Sequence, residues 1–293
     1  MTEPRRLFCF GLGYSAGALA QRLLAQGWRV AGTATTEDKK RALESLGIEA
    51  LVFNGAQNLA DPRAALAGVT HILSSVPPDP ADAVIAAHRA DLAALKGVEW
   101  IGYLSTTGVY GDRAGGWVDE GSELRPSGPR SADRVAAEAA WLALWRDHGL
   151  PVHVFRLAGI YGPGRGAIET VRRGQAKRIE KPGQIFSRIH VDDIAGVLLA
   201  SIARPNPGAV YNVCDDDPAA PEKVIEEACR LLGAPMPPLV RFDEAKKTMS
   251  DMQLSFYADS KRVRNDRIKK ELGYALKYPS YKDGLRAILQ PRD

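Results

Sequence analysis

At 293 residues, 45% of them hydrophobic, the chain is long enough for about two domains, or for one large α/β domain with an appendage, around a sizeable core. Its formal net charge of +4 is mild and spread along the chain, so it gives no strong nucleic-acid signal and no nucleic-acid partner is expected. Cys9, Cys214 and Cys229 lack metal-type spacing and the scattered histidines form no His-x-x-x-His pair, so no metal site is expected. Residues 7–10 read as a short buried strand, with Cys9 in it a small buried hydrophobe. The residues before it run straight into the strand with no signal peptide. No apolar stretch is long enough to span a membrane, so a cytoplasmic protein with no membrane partner is expected.

A glycine turn, Gly11-Leu12-Gly13-Tyr14-Ser15-Ala16, follows that strand, and a helix over 16–26 carries Leu19, Leu23 and Leu24. Each small residue of this Gly-x-Gly-x-x-Ala suits a dinucleotide site. Gly11 permits the tight turn, Gly13 lets the backbone approach a pyrophosphate, and Ala16 lets the helix pack on the strand. The N–H groups of Gly13, Tyr14 and Ser15 would face the phosphates from the helix N-terminus. A tight turn without a ligand is the alternative. The position after an apolar run and before an amphipathic helix favours the cofactor site.

Residues 28–33 read as a second strand ending in Ala34-Thr35-Thr36, and a helix through Lys39, Lys40, Arg41, Leu43 and Leu46 closes at Gly47. Strands are expected at 48–53, 71–74 and 98–104, with helices at 61–66 and from the Pro77–Pro80 turn to about Leu95. This alternation predicts a doubly wound parallel Rossmann sheet with right-handed crossovers. The end of the second strand bears on cofactor choice. NAD-preferring folds place Asp or Glu there for the ribose 2′-hydroxyl. Here Thr35 and Thr36 stand in its place, with Lys39, Lys40 and Arg41 close behind. The missing acid leans toward NADP, although the three cations also read as a solvated helix face and the threonines would also serve an NAD ribose. Asn54, past the third strand, is placed for an adenine or is an ordinary turn residue.

Farther on come Leu-Ser-Thr-Thr-Gly-Val-Tyr-Gly-Asp at 104–112, Arg-Leu-Ala-Gly-Ile-Tyr-Gly-Pro-Gly at 156–164, Arg-Ile-His-Val-Asp-Asp-Ile-Ala at 188–195 and Val-Tyr-Asn-Val at 210–213. In this order the chain resembles, over nearly its whole length, the extended short-chain dehydrogenase/reductase superfamily, the NAD-dependent epimerase/dehydratase group. Its opening turn looks more like an atypical branch. The resemblance implies that Thr106 matches the catalytic serine or threonine, with strand-end capping as the plainer role, and that Tyr110 lines the cleft. It implies that Leu157, Ala158 and Gly159 lie beside the nicotinamide, and that Ser74, Ser75 and Val76 border the ribose and pyrophosphate. Gly162-Pro163-Gly164 would be a rigid turn. His190 to Asp193 read as architecture, with Asp192 an N-cap and His190 tying strand to helix. The family's Tyr-x-x-x-Lys pair is absent: aligning Val-Ala-Ala-Glu at 135–138 puts Arg130 at the tyrosine position and Arg134 at the lysine position. A guanidinium stays protonated and cannot serve as general acid or base. A substitute donor would be Tyr110, Asp133 or water.

A Gly/Pro/charge-rich loop occupies 111–129 and a helix is expected at 131–148, followed by a strand at 152–156. The smaller lobe would start with a helix at 166–174 and include a turn at 181–184, a helix at 221–232 and a Pro-rich segment at 235–238. The densest basic run, 260–270, reads either as a contact to a phosphorylated substrate or, in preference, as a solvated helix face. The expected organisation is a Rossmann domain over 1–165, with 188–213 returning to it, and a substrate lobe over 166–187 and 214–293. Catalysis by hydride transfer on a small carbonyl or sugar-nucleotide-like substrate is the first functional reading, and a non-catalytic NAD(P)-binding sensor the second. A monomer or homodimer is expected.

Overall fold

A computed structural model describes residues 5–55 and 58–290; the expected absence of a leader ahead of the first strand concerns Met1–Pro4, outside the described residues. In chain order the first elements are β1 (Arg6–Phe10), α1 (Tyr14–Ala25), β2 (Arg29–Ala34), α2 (Glu37–Glu44), β3 (Glu49–Val52), α3 (Pro62–Ala65), β4 (His71–Ser74), α4 (Ala83–Ala93) and β5 (Trp100–Thr106). Then come β6 (Trp117–Val118), α5 (Pro129–His148), β7 (Val152–Leu157), β8 (Gly159–Tyr161), α6 (Ala167–Arg172), β9 (Arg178–Glu180), β10 (Arg188–His190), α7 (Val191–Ala203) and β11 (Val210–Val213). The last are α8 (Pro221–Leu232), β12 (Leu239–Arg241), α9 (Phe242–Ala245), α10 (Asp251–Ala258), β13 (Arg262–Val263), α11 (Asp266–Lys270) and α12 (Tyr281–Ile288).

Seven strands form one sheet in the order β11-β7-β5-β4-β1-β2-β3, and β1 runs parallel to both β2 and β4, as β2 does to β3 and β4 to β5. This is the doubly wound α/β Rossmann arrangement. The strand order reverses between β1 and β4, where such sheets open a crevice at their carboxyl ends. The chain separates into two compact units: one with the residues to Thr106, Gly128–Arg156 and Ile194–Tyr211, the other with Thr107–Ser127, Leu157–Asp193 and the residues from Asn212 onward.

Every residue of β1, β4 and β7 is buried, as expected for strands covered on both faces. In the first unit Phe8, Phe10, Ile72, Tyr103, Trp141 and Val154 form the centre of the core. A buried polar cluster interrupts it: Glu138 of α5, buried against Arg156 of β7 and Ser105 of β5. In the second unit Tyr161, Ile168, Val224, Ala228, Tyr281 and Leu285 form a separate cluster from β8, α6, α8 and α12.

The departures from expectation have local causes. Helix α1 starts at Tyr14, two residues early, because Gly13 is its N-cap. Asp192 is not an N-cap: α7 starts at Val191, and the Asp192 N–H donates to His190 Nδ1 (3.1 Å), so the histidine does tie strand to helix. Asp193 carries more structure. It is fully buried and accepts from Tyr274 Oη (2.8 Å), Lys277 N (2.7 Å) and Tyr278 N (3.1 Å). The basic run is a solvated helix face only in its second half, where α11 carries exposed Lys269 and Lys270; its start is drawn inside. Lys261 is buried and donates to the Gly111 carbonyl (2.8 Å) and Asp259 (3.0 Å), and β13 pairs with β6 in the 111–129 loop. Gly111 is required in that loop, since a Cβ there would lie 1.7 Å from the Arg125 carbonyl oxygen at φ +64°. Gly162 and Arg165 exchange main-chain hydrogen bonds of 3.0 Å, closing the expected Gly-Pro-Gly turn.

Candidate functional site

The turn after β1 is held from two sides within the first unit. From β2, Thr33 accepts the Gly11 N–H on Oγ1 (2.8 Å) and the Leu12 N–H on its carbonyl (2.9 Å). From the end of β4, the Ser75 N–H donates to the Phe10 carbonyl (2.9 Å) and the Ser75 hydroxyl donates to the Gly11 carbonyl. Gly11, Ser75 and Val76 thus meet at the point where the strand order reverses. Gly11 has φ +77°, and a Cβ on it would meet Val76 Cγ2 at 3.0 Å, so both backbone and space demand glycine. Gly32 of β2 is just as constrained: its Cβ would lie 2.8 Å from Leu12 Cδ1 and 2.9 Å from the Cys9 carbonyl. Cys9 lies fully buried in β1, and burial pushes its thiol up to about 12, which makes it an inert packing residue.

Gly13 is different. Its φ is −94°, open to any residue, and nothing lies within 4 Å of the Cβ it lacks. No side chain caps α1, and its first turn has no acidic residue. The Gly13 N–H departs from expectation by donating to the Gly11 carbonyl (2.9 Å), so it is engaged inside the turn. Tyr14 is exposed, whereas Ser15 and Ala16 are buried beneath the turn. Ser74, at the end of β4, is fully buried and its Oγ has no hydrogen-bond partner. A cradle that the fold does not fill at Gly13, an uncapped helix N-terminus and an orphaned hydroxyl on the neighbouring strand all fit a dinucleotide.

At the end of β2, Thr35 and Thr36 are exposed, and Thr36 accepts the Lys39 N–H as cap of α2. The three cations that follow divide. Lys40 lies 3.4 Å from Glu37 and Arg41 pairs with Asp38, while Lys39 Nζ reaches back to Thr35 Oγ1 (3.2 Å). Asn54 is exposed just past β3.

Thr106 ends β5, partly exposed. Arg134 of α5 reaches the same strand, donating to the Leu104 carbonyl (2.8 Å) and to Tyr103 Oη (3.4 Å). Burial keeps the Tyr103 phenol far above its usual range and therefore neutral. Arg130 stands one turn earlier on α5, exposed, in the turn that Gly128 caps. Arg130, Arg134 and Glu138 therefore share one helix face at i, i+4 and i+8. Sequence reasoning missed Glu138; its one signal was a carboxylate on this face beside apolar Ala137 and Trp141.

Tyr110 belongs to the second unit. It is fully buried in the 3-10 turn Thr107–Tyr110, and its hydroxyl donates to Asn212 Oδ1 (2.7 Å). It does not present its phenol to solvent, contrary to the expected cleft-lining position. In the same unit Leu157 and Ala158 are buried and Gly159 is exposed. Ala158 N donates to Val213 (3.0 Å) and Gly159 N to Ser187 (3.1 Å), so this segment is fixed through its main chain. No group of three or more metal-ligating side chains occurs among the described residues, and no described helix is long and apolar enough to cross a membrane.

The family model described as NAD dependent epimerase/dehydratase family matches residues 11–214. Protein YeeZ of Escherichia coli (strain K12) is 29% identical over 290 residues, covering 94% of this chain and 97% of that protein. A solved structure of a functionally unknown conserved protein from Silicibacter pomeroyi DSS is 51% identical, with a TM-score of 0.89 over 97% of this chain and 98% of that one. A UDP-glucuronic acid 4-epimerase from Bacillus cereus, solved with NAD, is similar in fold alone: 16% identity, TM-score 0.77, 96% of each chain.

Proposed function

We propose that this chain, which belongs to the NAD dependent epimerase/dehydratase family, binds a nicotinamide dinucleotide on the turn from Gly11 to Ser15 and catalyses hydride transfer on a small carbonyl or sugar-nucleotide-like substrate without a tyrosine–lysine pair. The observation that carries the cofactor reading is Gly13, whose missing side chain the protein itself does not require. Ser74, Ser75 and Val76 would border the ribose and pyrophosphate, and Asn54 the adenine. When bound, the dinucleotide supplies or accepts a hydride.

The chain's own residues divide the remaining work. Arg134, anchored on the Leu104 carbonyl, orients a ribose or substrate hydroxyl beside Thr106, whose hydroxyl hydrogen-bonds the substrate oxygen. Arg130 is exposed and binds an anionic substrate group or a developing oxyanion. It moves no proton, since guanidinium holds its proton at any working pH. Tyr110, engaged by Asn212, acts as a strut and not as a relocated acid, which leaves Asp133 or water as donor. The buried Tyr110 phenol also favours the second reading, a cofactor-binding sensor without turnover. The two separate in an assay of NADPH and NADH oxidation across a panel of carbonyls and nucleotide sugars. Turnover that falls at least tenfold in Arg130→Ala and persists in Tyr110→Phe supports the enzyme as described. Tight dinucleotide binding with no turnover on any substrate supports the sensor.

Lys39 makes the cofactor preference testable. Its ammonium already sits at Thr35, where a 2′-phosphate would lie, while Lys40 and Arg41 have carboxylate partners. A charge-assisted contact there favours NADP(H) by about 1.5–3 kcal/mol, roughly tenfold to a hundredfold. Calorimetric titration should show this preference in the parent and its loss in Lys39→Glu. Equal binding of NAD and NADP by the parent would remove it.

A further inference from the structure

Arg130 and Arg134 stand one turn apart on α5, with Cβ atoms about 5–6 Å apart, and like charges at this spacing repel. An acid four residues on is the usual relief, and Glu138 holds that place for Arg134. It is withheld. Its oxygens are taken by Arg156 Nη2 (2.8 Å) and Nε (3.1 and 3.2 Å) and by the Ser105 hydroxyl (2.6 Å). Asp82, a buried carboxylate that feels the Arg134 charge, is committed as well, to Ile85 N (2.9 Å) and Trp141 Nε1 (2.8 Å). Among the described residues neither Arg130 nor Arg134 has an ion-pair partner.

Arg134 is fixed along one edge only. Its Nη1 donates to the Leu104 carbonyl (2.8 Å) and to the neutral Tyr103 phenol (3.4 Å). Its Nε and Nη2 make no hydrogen bond with the described residues, and both keep contact with solvent. Two N–H donors in one plane match the two oxygens of a carboxylate. A phosphate would ask for more donors than the start of this helix offers. Pro129 has no N–H, and the N–H groups of Ser131 and Ala132 are taken by the Gly128 carbonyl (3.1 and 3.0 Å).

We propose that the substrate is a carboxylic acid, whose carboxylate docks on the open Nε–Nη2 edge of Arg134 with Arg130 as a second cation. The inference rests on the proposed function and narrows its substrate: the group that Arg134 orients is a carboxylate, and the reacting carbonyl belongs to an oxo or hydroxy acid. A guanidinium already held by neutral acceptors loses little freedom when the anion arrives, and no internal acid has to be displaced first. In Arg134→Lys the charge is kept, but a point ammonium spent on Leu104 has no second edge to offer. On the same reading the dinucleotide phosphates lie at the Gly11–Ser15 turn, so the carboxylate site stays open when cofactor is bound.

Malonate is the probe, with malonamide as its neutral counterpart and inorganic phosphate as the competing anion, all at one ionic strength. Isothermal titration of the intact protein should show saturable malonate binding at millimolar concentration or below. Malonamide should not bind, and phosphate should bind at least tenfold more weakly. Saturating NADPH should leave malonate binding unchanged. Arg134→Lys should weaken malonate at least tenfold although the net charge is the same. Arg130→Gln, at an exposed position, should weaken it severalfold with the fold intact by thermal melt, so the outcome does not hang on one variant. No saturable malonate binding by the parent, equal binding of malonamide, phosphate as tight as malonate, displacement by NADPH, or parent-like binding by both variants overturns the proposal. A parent that binds malonate as described and no dinucleotide keeps the carboxylate site and ends the cofactor reading, so the two fail separately.

Discussion

Gly13→Asp should abolish measurable dinucleotide binding while leaving the protein at least as stable as its parent. The substitution meets no steric cost in the protein, because nothing lies within 4 Å of the new Cβ and the backbone has φ −94°. Aspartate is also a better N-cap than glycine, and a carboxylate at the N-terminus of α1 gains about 0.3–1 kcal/mol from the helix dipole. The same charge stands where the pyrophosphate would pass and occupies the donors that would serve it. A loss of a hundredfold or more in affinity, about 2.7 kcal/mol, is expected. Gly13→Ala, which adds bulk without charge, should fall between the two. Gly11 gives the contrast, since any side chain there meets Val76 at a positive φ, and its loss would appear as instability. Parallel thermal melts and fluorescence titrations with NADPH and NADH decide the matter. A stable Gly13→Asp that binds like the parent would place the cofactor elsewhere.

The difference between Gly11 and Gly13 also marks how far the chain could be read without coordinates. The strand, turn and helix at its start are local in sequence, so spacing and residue size were enough to identify the turn, and strand–helix alternation was enough to expect a doubly wound parallel sheet. What escaped reading is non-local. Tyr110 looked available because its motif resembles one that lines a cleft, yet its hydroxyl is taken by Asn212, 102 positions later. Lys261 sat in a run of charges that periodicity assigns to a surface, but the carbonyl of Gly111, 150 positions earlier, draws it inside. Asp193 was passed over beside Asp192 because helix-start chemistry favours either; only the backbone of 277–278 folding onto α7 selects between them. Polar residues acquire roles from partners brought by topology, whereas glycines and apolar runs declare theirs through their immediate neighbours.

Glu138 is the largest such case, and its removal should be the most damaging single change in the first unit. Its carboxylate and the Arg156 guanidinium are 3% and 6% exposed. Arg156 Nη2 donates to Oε2 at 2.8 Å, its Nε lies 3.1 and 3.2 Å from the two oxygens, and the Ser105 hydroxyl donates to Oε1 at 2.6 Å. Three elements, α5, β5 and β7, are joined at this point. Glu138→Ala leaves a buried guanidinium without its carboxylate and a buried serine hydroxyl without its acceptor. The expected loss is about 3–5 kcal/mol, a large share of the 5–15 kcal/mol that holds a typical domain together. The cost comes from the stranded charge more than from the bond itself. Replacing both members by apolar residues of similar size, Glu138→Leu with Arg156→Met, should therefore recover most of the stability. Because Arg134 hangs on the same helix and its anchor is the Leu104 carbonyl, the double variant should also keep that contact and bind dinucleotide like the parent. Urea denaturation of the parent, the single and the double variants tests all of this. A single variant that loses under about 1 kcal/mol would mean that solvent reaches Arg156; a double variant no more stable than the single would mean that the pair acts through shape and specific hydrogen bonding, not through charge.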